Sequence, residues 1–190
     1  MLPTCHLLPC VGAMASLVAQ FRSTVLLCTA TQPVLGDLFR RFCPEQRITE
    51  LCPAVAENFQ NFRRVTYRDG GVLSDAALAE ALRREAQVLC IVNTRKAAQT
   101  LYALLPEEGR FHLSTLMYPA HRKAALDTIR QRLKAGLPCR VVSTSLIEAG
   151  VDVDFPAVYR EIAGLDSIAQ AAGRCNREGK CKAEDSLVHI

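Results

Sequence analysis

Short runs of apolar and β-branched residues recur along the 190-residue chain, and the segments between them carry apolar residues at a helical period. Runs of about four to eight such residues, bounded by polar or turn-forming positions, are typical of buried strands. The predicted strands are 24–28, 62–67, 88–92, 111–114, 139–143, 157–162 and 186–190.

Helical patterns fill the gaps between the predicted strands. Ser74 or Asp75 can cap a helix that extends to Glu85, and Thr94 can cap the next one. A third helical pattern stops before Gly136, a residue that commonly ends helices. Because strands alternate with helices, the sequence predicts an α/β fold with a parallel sheet and helices on both faces.

The amino-terminal segment has a separate pattern. Apolar residues from Leu7 to Val18 fall at helical spacing and predict an amphipathic helix packed on a core. Ala13 and Ala15 are spaced as in signal-peptidase sites, but no lysine or arginine precedes them. We therefore interpret the segment as part of the fold and not as a secretion signal.

Residues 32–55 interrupt the regular alternation, since they hold three prolines, mixed charge and no sustained period. We predict a linker there. Residues 1–31 then hold one helix and one strand, too little to bury a core alone, and we expect them to be the remnant of a preceding domain. Residues 56–190 carry the main domain.

Composition argues against a membrane protein and a zinc protein but does not select one function. Hydrophobic residues make up 49% and charged residues 22%, and no apolar run approaches membrane-spanning length, so we expect a soluble protein with no membrane partner. The nine cysteines form no CxxC pair, which predicts no zinc site and fits reduced thiols in a cytoplasm. The net charge of +4 permits nucleic-acid binding without requiring it.

Polar residues follow most of the predicted strands at the point where each strand ends. In an open parallel sheet, ligands bind where the strands end at their carboxyl side. The polar positions are Thr29 and Thr31, Asn93 and Thr94, Thr115 with His121 and Arg122, 144–152, and 170–180. Any one of them could be a helix cap or a turn, but five on one edge favour a binding site.

The last of these positions reads QAAGRCNREGK and sets Arg174 and Arg177 one helical turn apart. Arginine keeps its charge at any working pH, and its planar fork of donors suits phosphate oxygens. The spacing therefore favours a phosphate-binding role. A solvated helix end is the alternative interpretation.

Taken in chain order, these motifs resemble the carboxyl-terminal half of a superfamily 2 helicase motor. The matching segments are 29–31 for the coupling motif, 93–94 for the fourth motif, 144–152 for the fifth and 170–177 for the sixth. More narrowly, the strings LCTATQP, HLSTLMYPAHR and AGRCNREGK are similar to the CRISPR-associated helicase-nuclease of type I interference systems. The resemblance implies a RecA-like fold for residues 56–190.

The resemblance also implies roles for individual residues. Arg174 and Arg177 would stabilise charge on the γ-phosphate of ATP, and Thr29 with Thr31 would couple nucleotide state to strand movement. Nucleotide contacts would come from Gly150, Asp152 and Gln170. The backbone of single-stranded DNA would be held by Ser114, Thr115, His121, Arg122 and Thr144.

Several of these roles have a structural alternative. Ser167 and Gln170 have the spacing of a capping box, so the amide of Gln170 could bond back to a helix start. The segment 150–152 fits an ordinary turn at a strand edge. His121 and Arg122 fit a solvent-facing first helical turn. The order of the motifs favours the functional interpretation.

Three features of a complete motor are absent from this sequence: a GxxxxGK[ST] loop for phosphates, an acidic pair for magnesium and a His-Asp nuclease cluster. Ala171 also stands where the family often carries another arginine. The resemblance therefore implies a longer protein that uses ATP and Mg²⁺, with neither bound to this chain alone, which we expect to be inactive.

The implied partners are single-stranded DNA, the first motor domain of the same protein and the CRISPR surveillance complex, and the implied process is antiviral degradation of DNA. Two alternatives stay open at this point. The chain could belong to another superfamily 2 motor of DNA repair or restriction, or it could be a non-catalytic module that docks on DNA or on a partner.

Overall fold

The computed structural model describes residues 4–28, 35–45, 47–52, 54–148 and 150–190. The chain divides into two compact units, Met1–Asn58 and Phe59–Ile190. Thr29 and Thr31, the predicted coupling residues, lie outside the described residues. The predicted division into 1–31, 32–55 and 56–190 stays a prediction.

The first unit contains the helices α1 (Thr4–Phe21) and α2 (Gly36–Phe42), and α3 (Val55–Asn61) begins in it. The helix predicted from the apolar spacing near the amino terminus is therefore present as α1. Val11 and Ala15 of α1 are buried, and the Cys43 thiol donates to the Ala15 carbonyl at 3.2 Å. This bond ties the end of α2 to α1.

One prediction for this unit is wrong. Residues 22–28 have no regular secondary structure, so the strand predicted at 24–28 does not form. A strand is stable only when neighbouring chains complete its backbone hydrogen bonds, and no described strand pairs with this segment. The segment 32–55, whose assignment as a linker stays a prediction, contains α2. Asp37 and Arg40 lie near opposite ends of this helix and complement its dipole.

The second unit is an α/β domain built on a parallel sheet, as the sequence predicts. Its strands are β1 (Thr66–Arg68), β2 (Gln87–Ile91), β3 (Arg110–Leu113), β4 (Cys139–Ser143), β5 (Ala157–Arg160) and β6 (Leu187–His189). The six strands described are all parallel and lie in the order β1-β6-β5-β2-β4-β3. The helices are α4 (Asp75–Arg84), α5 (Arg95–Leu104), α6 (Pro119–Lys134) and α7 (Leu165–Ala172), with a 3₁₀ turn at Ser145–Ile147.

Local chemistry sets the helix starts in this unit. The Ser74 hydroxyl accepts the Ala77 amide at 3.2 Å at the start of α4, and the Thr94 hydroxyl accepts the Ala97 amide at 3.1 Å at the start of α5. These bonds satisfy backbone donors that the first helical turn leaves open. Both caps predicted from the sequence are confirmed. Capping alone accounts for a threonine at position 94, so this residue gives no evidence of a ligand.

Two apolar cores lie on opposite faces of the sheet. Side chains alternate along a strand, so Leu89 and Ile91 of β2 contact one core while Val88 and Cys90 contact the other. The first core includes Ile129 of α6 and Ala171 and Ala172 of α7, and the second includes Leu82 of α4 and Ala98 and Leu101 of α5. Among the described residues, no helix is long and apolar enough to span a bilayer.

Candidate nucleotide and nucleic-acid site

The carboxyl ends of β3 and β4 bring predicted DNA-binding residues together. Leu113 and Ser143 pair in the sheet, so Ser114 and Thr144 are the next residue on each strand, and both are buried. The Thr144 amide donates to the Leu113 carbonyl at 3.3 Å. Two hydroxyl-bearing residues thus lie side by side at one edge of the sheet.

The other predicted DNA-binding residues follow Ser114 along the chain. Thr115 and His121 are exposed, Arg122 is half-buried, and the last two lie in the first turn of α6. The His121 ring lies 5.5 Å from the Tyr118 ring, centroid to centroid. The structure therefore places all five predicted residues around the ends of β3 and β4.

The arginines of the sixth motif do not share one helical face, which corrects the sequence-based prediction. Because α7 ends at Ala172, Arg174 and Arg177 lie in the turn that follows the helix. Asn176 between them has a φ of 46°, a left-handed conformation that asparagine tolerates. Arg174 is buried and Arg177 is exposed, so their side chains lie in different environments.

The arginine turn also lies at the opposite edge of the sheet from the one predicted. Residues Phe155 and Cys175 form a parallel bridge, and Phe155 precedes β5 by two residues. The turn is therefore at the amino-terminal end of β5. The reason is topological, since α7 returns the chain from the end of β5 to its beginning.

Arg174 is held from within the protein. Its Nη2 donates to the Glu148 carbonyl at 2.7 Å, while its Nε is buried without a hydrogen-bond partner among the described residues. Burial lowers the pKa of the Arg174 guanidinium, and the charge of Arg177 lowers it further, against the opposing effect of Asp152. A buried donor with no acceptor and a nearby second cation is suited to an incoming anion.

Arg177 is held by two aspartates that lie two residues apart. Its Nε forms an ion pair with Asp152 Oδ1 at 2.9 Å, and its backbone amide donates to Asp154 Oδ1 at 2.7 Å. The Asp152 carbonyl in turn accepts from Arg130 Nε at 2.9 Å. The fifth and sixth motifs, separated in the sequence, therefore meet beside the start of β5.

The predicted nucleotide-binding residues lie close to this turn. Gly150 has a φ of 70°, in the left-handed region that favours glycine, and it is exposed. Gln170 is half-buried in the last turn of α7. The capping-box alternative for Gln170 is wrong, because Gly164 and not Ser167 is the N-cap of α7.

A buried ion pair that the sequence did not predict joins Arg160, at the end of β5, to Glu148, whose carbonyl accepts from Arg174. Arg160 Nε is 3.0 Å from Glu148 Oε1, and the two side chains are only 3% and 6% exposed. Within the described part of the chain neither atom makes a hydrogen bond of good geometry, so their contact is an ion pair. The sequence signal that could have revealed this pair is Arg160 itself, which lies within the run 157–162 predicted to be a strand, where a buried arginine needs a partner.

Asn93, which resembles part of the fourth motif, belongs to the same cluster. Its Oδ1 accepts from Arg160 Nη1 at 2.7 Å, and its amide nitrogen Nδ2 donates to the Ile162 carbonyl at 2.9 Å. Its backbone amide donates to Glu161 Oε2 at 2.6 Å. Asn93 thus joins the end of β2 to the end of β5.

The described residues contain no group of three His, Cys, Asp or Glu side chains that could hold a metal ion. The arginine turn instead offers two guanidinium groups, one buried and one exposed, which suit phosphate oxygens. Two aspartates, Asp152 and Asp154, lie beside these guanidinium groups.

Comparison with known proteins assigns the family. The family described as CRISPR-associated nuclease/helicase Cas3, C-terminal, matches residues 84–180, which is more than half of the chain. The chain belongs to this Cas3 C-terminal family. The resemblance inferred from the motifs is thereby confirmed, and residues 84–180 include both the DNA-binding candidates and the arginine turn.

Two curated Cas3 nuclease/helicases share parts of the sequence. The protein of Haloferax volcanii is 43% identical over 65 residues, which are 34% of this chain and 7% of that protein. The protein of Methanothermobacter thermautotrophicus is 30% identical over 94 residues, 49% of this chain and 11% of that protein. The chain therefore spans only a small part of the length of these relatives.

Solved structures support the fold. The ADP complex of T. fusca Cas3 matches 66% of this chain and 18% of that chain with a TM-score of 0.50 and 20% identity. The carboxyl-terminal domain of the DEAD-box protein Dbp5 matches 67% of this chain and 76% of that chain with a TM-score of 0.50 and 17% identity. The predicted RecA-like helicase fold is confirmed.

Proposed function

We propose that this chain supplies the second RecA-like domain of an ATP-dependent translocase that moves along single-stranded DNA during CRISPR antiviral DNA degradation. In this proposal residues 1–31 belong to the end of the first motor domain, 32–55 connect the domains, and 56–190 form the second. The observation that carries the proposal is the turn that holds Arg174 and Arg177 beside Asp152.

The proposed nucleotide role follows from the charge that develops during phosphoryl transfer. ATP would bind to the first motor domain, and Mg²⁺ would neutralise part of the phosphate charge there. When the cleft closes, Arg174 and Arg177 would reach the γ-phosphate and stabilise the transition state. Asp152 would then exchange its ion pair with Arg177 for a ribose hydroxyl, and Gly150 and Gln170 would line the nucleotide.

The proposed DNA contacts lie at the other edge of the sheet. Hydroxyl groups and a few basic side chains bind a phosphate backbone without selecting a sequence, as a translocase requires. Ser114, Thr115 and Thr144 provide the hydroxyls, and His121 and Arg122 extend the surface at the start of α6. The CRISPR surveillance complex, named as a partner only through the family, would deliver the DNA.

The isolated 190-residue chain is expected to hydrolyse no ATP above the background of the buffer. The sequence lacks the phosphate-binding loop and the acidic motif that would bind ATP and Mg²⁺. The two arginines therefore have no bound MgATP whose hydrolysis they could accelerate. Phosphate release with ATP, Mg²⁺ and single-stranded DNA measures this. Steady, metal-dependent ATP hydrolysis that copurifies with the chain would contradict the proposal that ATP and Mg²⁺ bind to the first motor domain.

The isolated chain is also expected to bind single-stranded DNA weakly, with affinity that falls as salt increases. Each phosphate neutralised by a basic side chain releases a counterion, which gives a linear dependence of log affinity on log salt. Fluorescence anisotropy of a labelled oligonucleotide at several salt concentrations measures the slope. Binding that stays constant from low to high salt would argue against backbone contacts.

Arg122→Ala tests where the DNA binds. This change should weaken binding to all sequences and reduce the salt slope by about one. Arg84→Ala is the matched control, because Arg84 is exposed and lies 3.8 Å from Glu80 in α4, away from the ends of β3 and β4. Equal effects of the two substitutions would show that general positive charge, and not this edge of the sheet, holds the DNA.

A further inference from the structure

The arginine turn is bonded to the strand segment that precedes β5. The Phe155 amide donates to the Arg174 carbonyl at 2.9 Å, and the Asn176 amide donates to the Phe155 carbonyl at 3.0 Å. These backbone bonds end at Asn176, one residue before Arg177. After Asn176, a side chain from the segment before β5 bonds the arginine turn.

That side chain is Asp154, which is half-buried. Its Oδ1 accepts the Arg177 amide at 2.7 Å, and its Oδ2 lies 3.4 Å from the Glu178 amide. A carboxylate that accepts two successive amides fixes both the position and the direction of the backbone between them. Bonds to a charged acceptor are also stronger than neutral ones.

This anchor matters more for Arg177 than for Arg174. Arg174 is buried, so packing and the Glu148 carbonyl restrict its side chain. Arg177 is exposed and has no comparable packing. A small rotation of its backbone would move the guanidinium, at the far end of a long side chain, by a larger distance.

Asp152 and Asp154 are of the same type and two residues apart, but they hold different parts of Arg177. Asp152 pairs with Nε of the guanidinium, a contact that can change when a phosphate approaches Arg177. Asp154 pairs with the backbone amide, a bond that can persist with or without nucleotide. The geometry points to Asp154 as a positioning residue that aims Arg177 at the transferred phosphate, an inference that rests on the proposed function.

The test is a double-mutant cycle in the full-length protein, with DNA-stimulated ATP hydrolysis as the measurement. Asp154→Ala should lower kcat by roughly ten- to a hundredfold with little change in the KM for ATP. The reason is that moving a catalytic group such as the Arg177 guanidinium by about 1 Å can lower the rate by up to about a hundredfold. Asp154→Asn should retain most of the activity, since its amide oxygen can still accept the Arg177 amide. In an Arg177→Ala background, Asp154→Ala should cause no further loss.

The matched control is Asp69→Ala. Asp69 Oδ1 accepts the Gly71 amide at 2.8 Å, so the substitution removes a similar carboxylate-amide bond from a turn that carries no catalytic group. Its kcat should equal that of the wild type. Thermal melting of every variant separates misplacement of Arg177 from loss of folded protein.

The outcomes distinguish this inference from the proposed function. If Arg177→Ala leaves kcat unchanged, the proposed function fails. If Arg177→Ala lowers kcat but Asp154→Ala does not, or if the two losses multiply in the double variant, Asp154 is not a positioning residue. If Asp154→Ala does not fold, Asp154→Glu replaces it, because one added methylene displaces the carboxylate, and a wild-type kcat for that variant overturns the inference.

Discussion

Replacement of Arg174 or Arg177 by alanine in the full-length protein is expected to lower kcat for DNA-stimulated ATP hydrolysis by about a thousandfold or more. The reason is that an arginine at the transferred phosphate stabilises charge that appears only in the transition state. Binding of single-stranded DNA should remain unchanged, because the DNA-binding candidates lie at the opposite ends of the strands.

Lysine variants separate geometry from charge. Arg174→Lys and Arg177→Lys keep the positive charge but lose the planar fork of donors, so they should restore little of the activity. A lysine variant with near-normal kcat would mean that charge alone suffices. Normal kcat in both alanine variants would remove the reason for assigning an ATP-driven role to this turn.

The two arginines should differ in their effect on stability. Arg174 is buried and donates to the Glu148 carbonyl, so Arg174→Ala should lower the melting temperature as well as kcat. The Arg177 side chain is 43% exposed, and exposed ion pairs contribute only about 0.2–1 kcal/mol, so Arg177→Ala should melt close to the wild type. Arg177 is therefore the cleaner test of catalysis.

The sequence predicted the second unit well because its signals are local. The apolar run at 88–92 overlaps β2 in all but one residue, and the run at 139–143 coincides with β4; both strands are largely buried, as their continuous apolar character predicts. Ser74 and Thr94 are caps whose hydroxyls bond within three residues. Both partners of such a contact lie within a few residues of each other, so the contact can be predicted from a short stretch of sequence.

Predictions that depended on distant partners were less successful. An apolar run such as 24–28 forms a strand only if another strand lies beside it, and the sequence does not say whether one does. The burial of Arg160 beside Glu148 requires β5 and the segment after β4 to meet. The pattern of apolar and polar residues does not predict which distant segments meet.

The candidate site shows the same division. Residue types led to the prediction of the arginines and of the hydroxyl-bearing residues as a binding site, but both were assigned to one edge of the sheet. The structure separates them, because α7 carries the chain back before Arg174 is reached. Asp154 was overlooked because its partners are backbone amides, which every residue except proline carries, so no residue pattern marks them.

Breaking the buried ion pair should have the largest effect on stability. Arg160→Leu leaves the Glu148 carboxylate buried without its partner, and this should lower the free energy of unfolding of the 190-residue chain by about 3–5 kcal/mol. Urea unfolding followed by circular dichroism measures the change. Glu80→Ala, which breaks an exposed pair with Arg83, is the control and should cost no more than about 1 kcal/mol.

The double variant Glu148→Leu/Arg160→Met decides what the pair contributes. Removing both charges removes the desolvation penalty, so its stability should recover most of the loss, as happens when buried pairs are replaced by apolar residues of similar size. Asn93 would still lose its bond from Arg160, which limits the recovery. A double variant as unstable as Arg160→Leu would mean that hydrogen bonds of Arg160, and not the uncompensated charge of Glu148, account for the destabilisation.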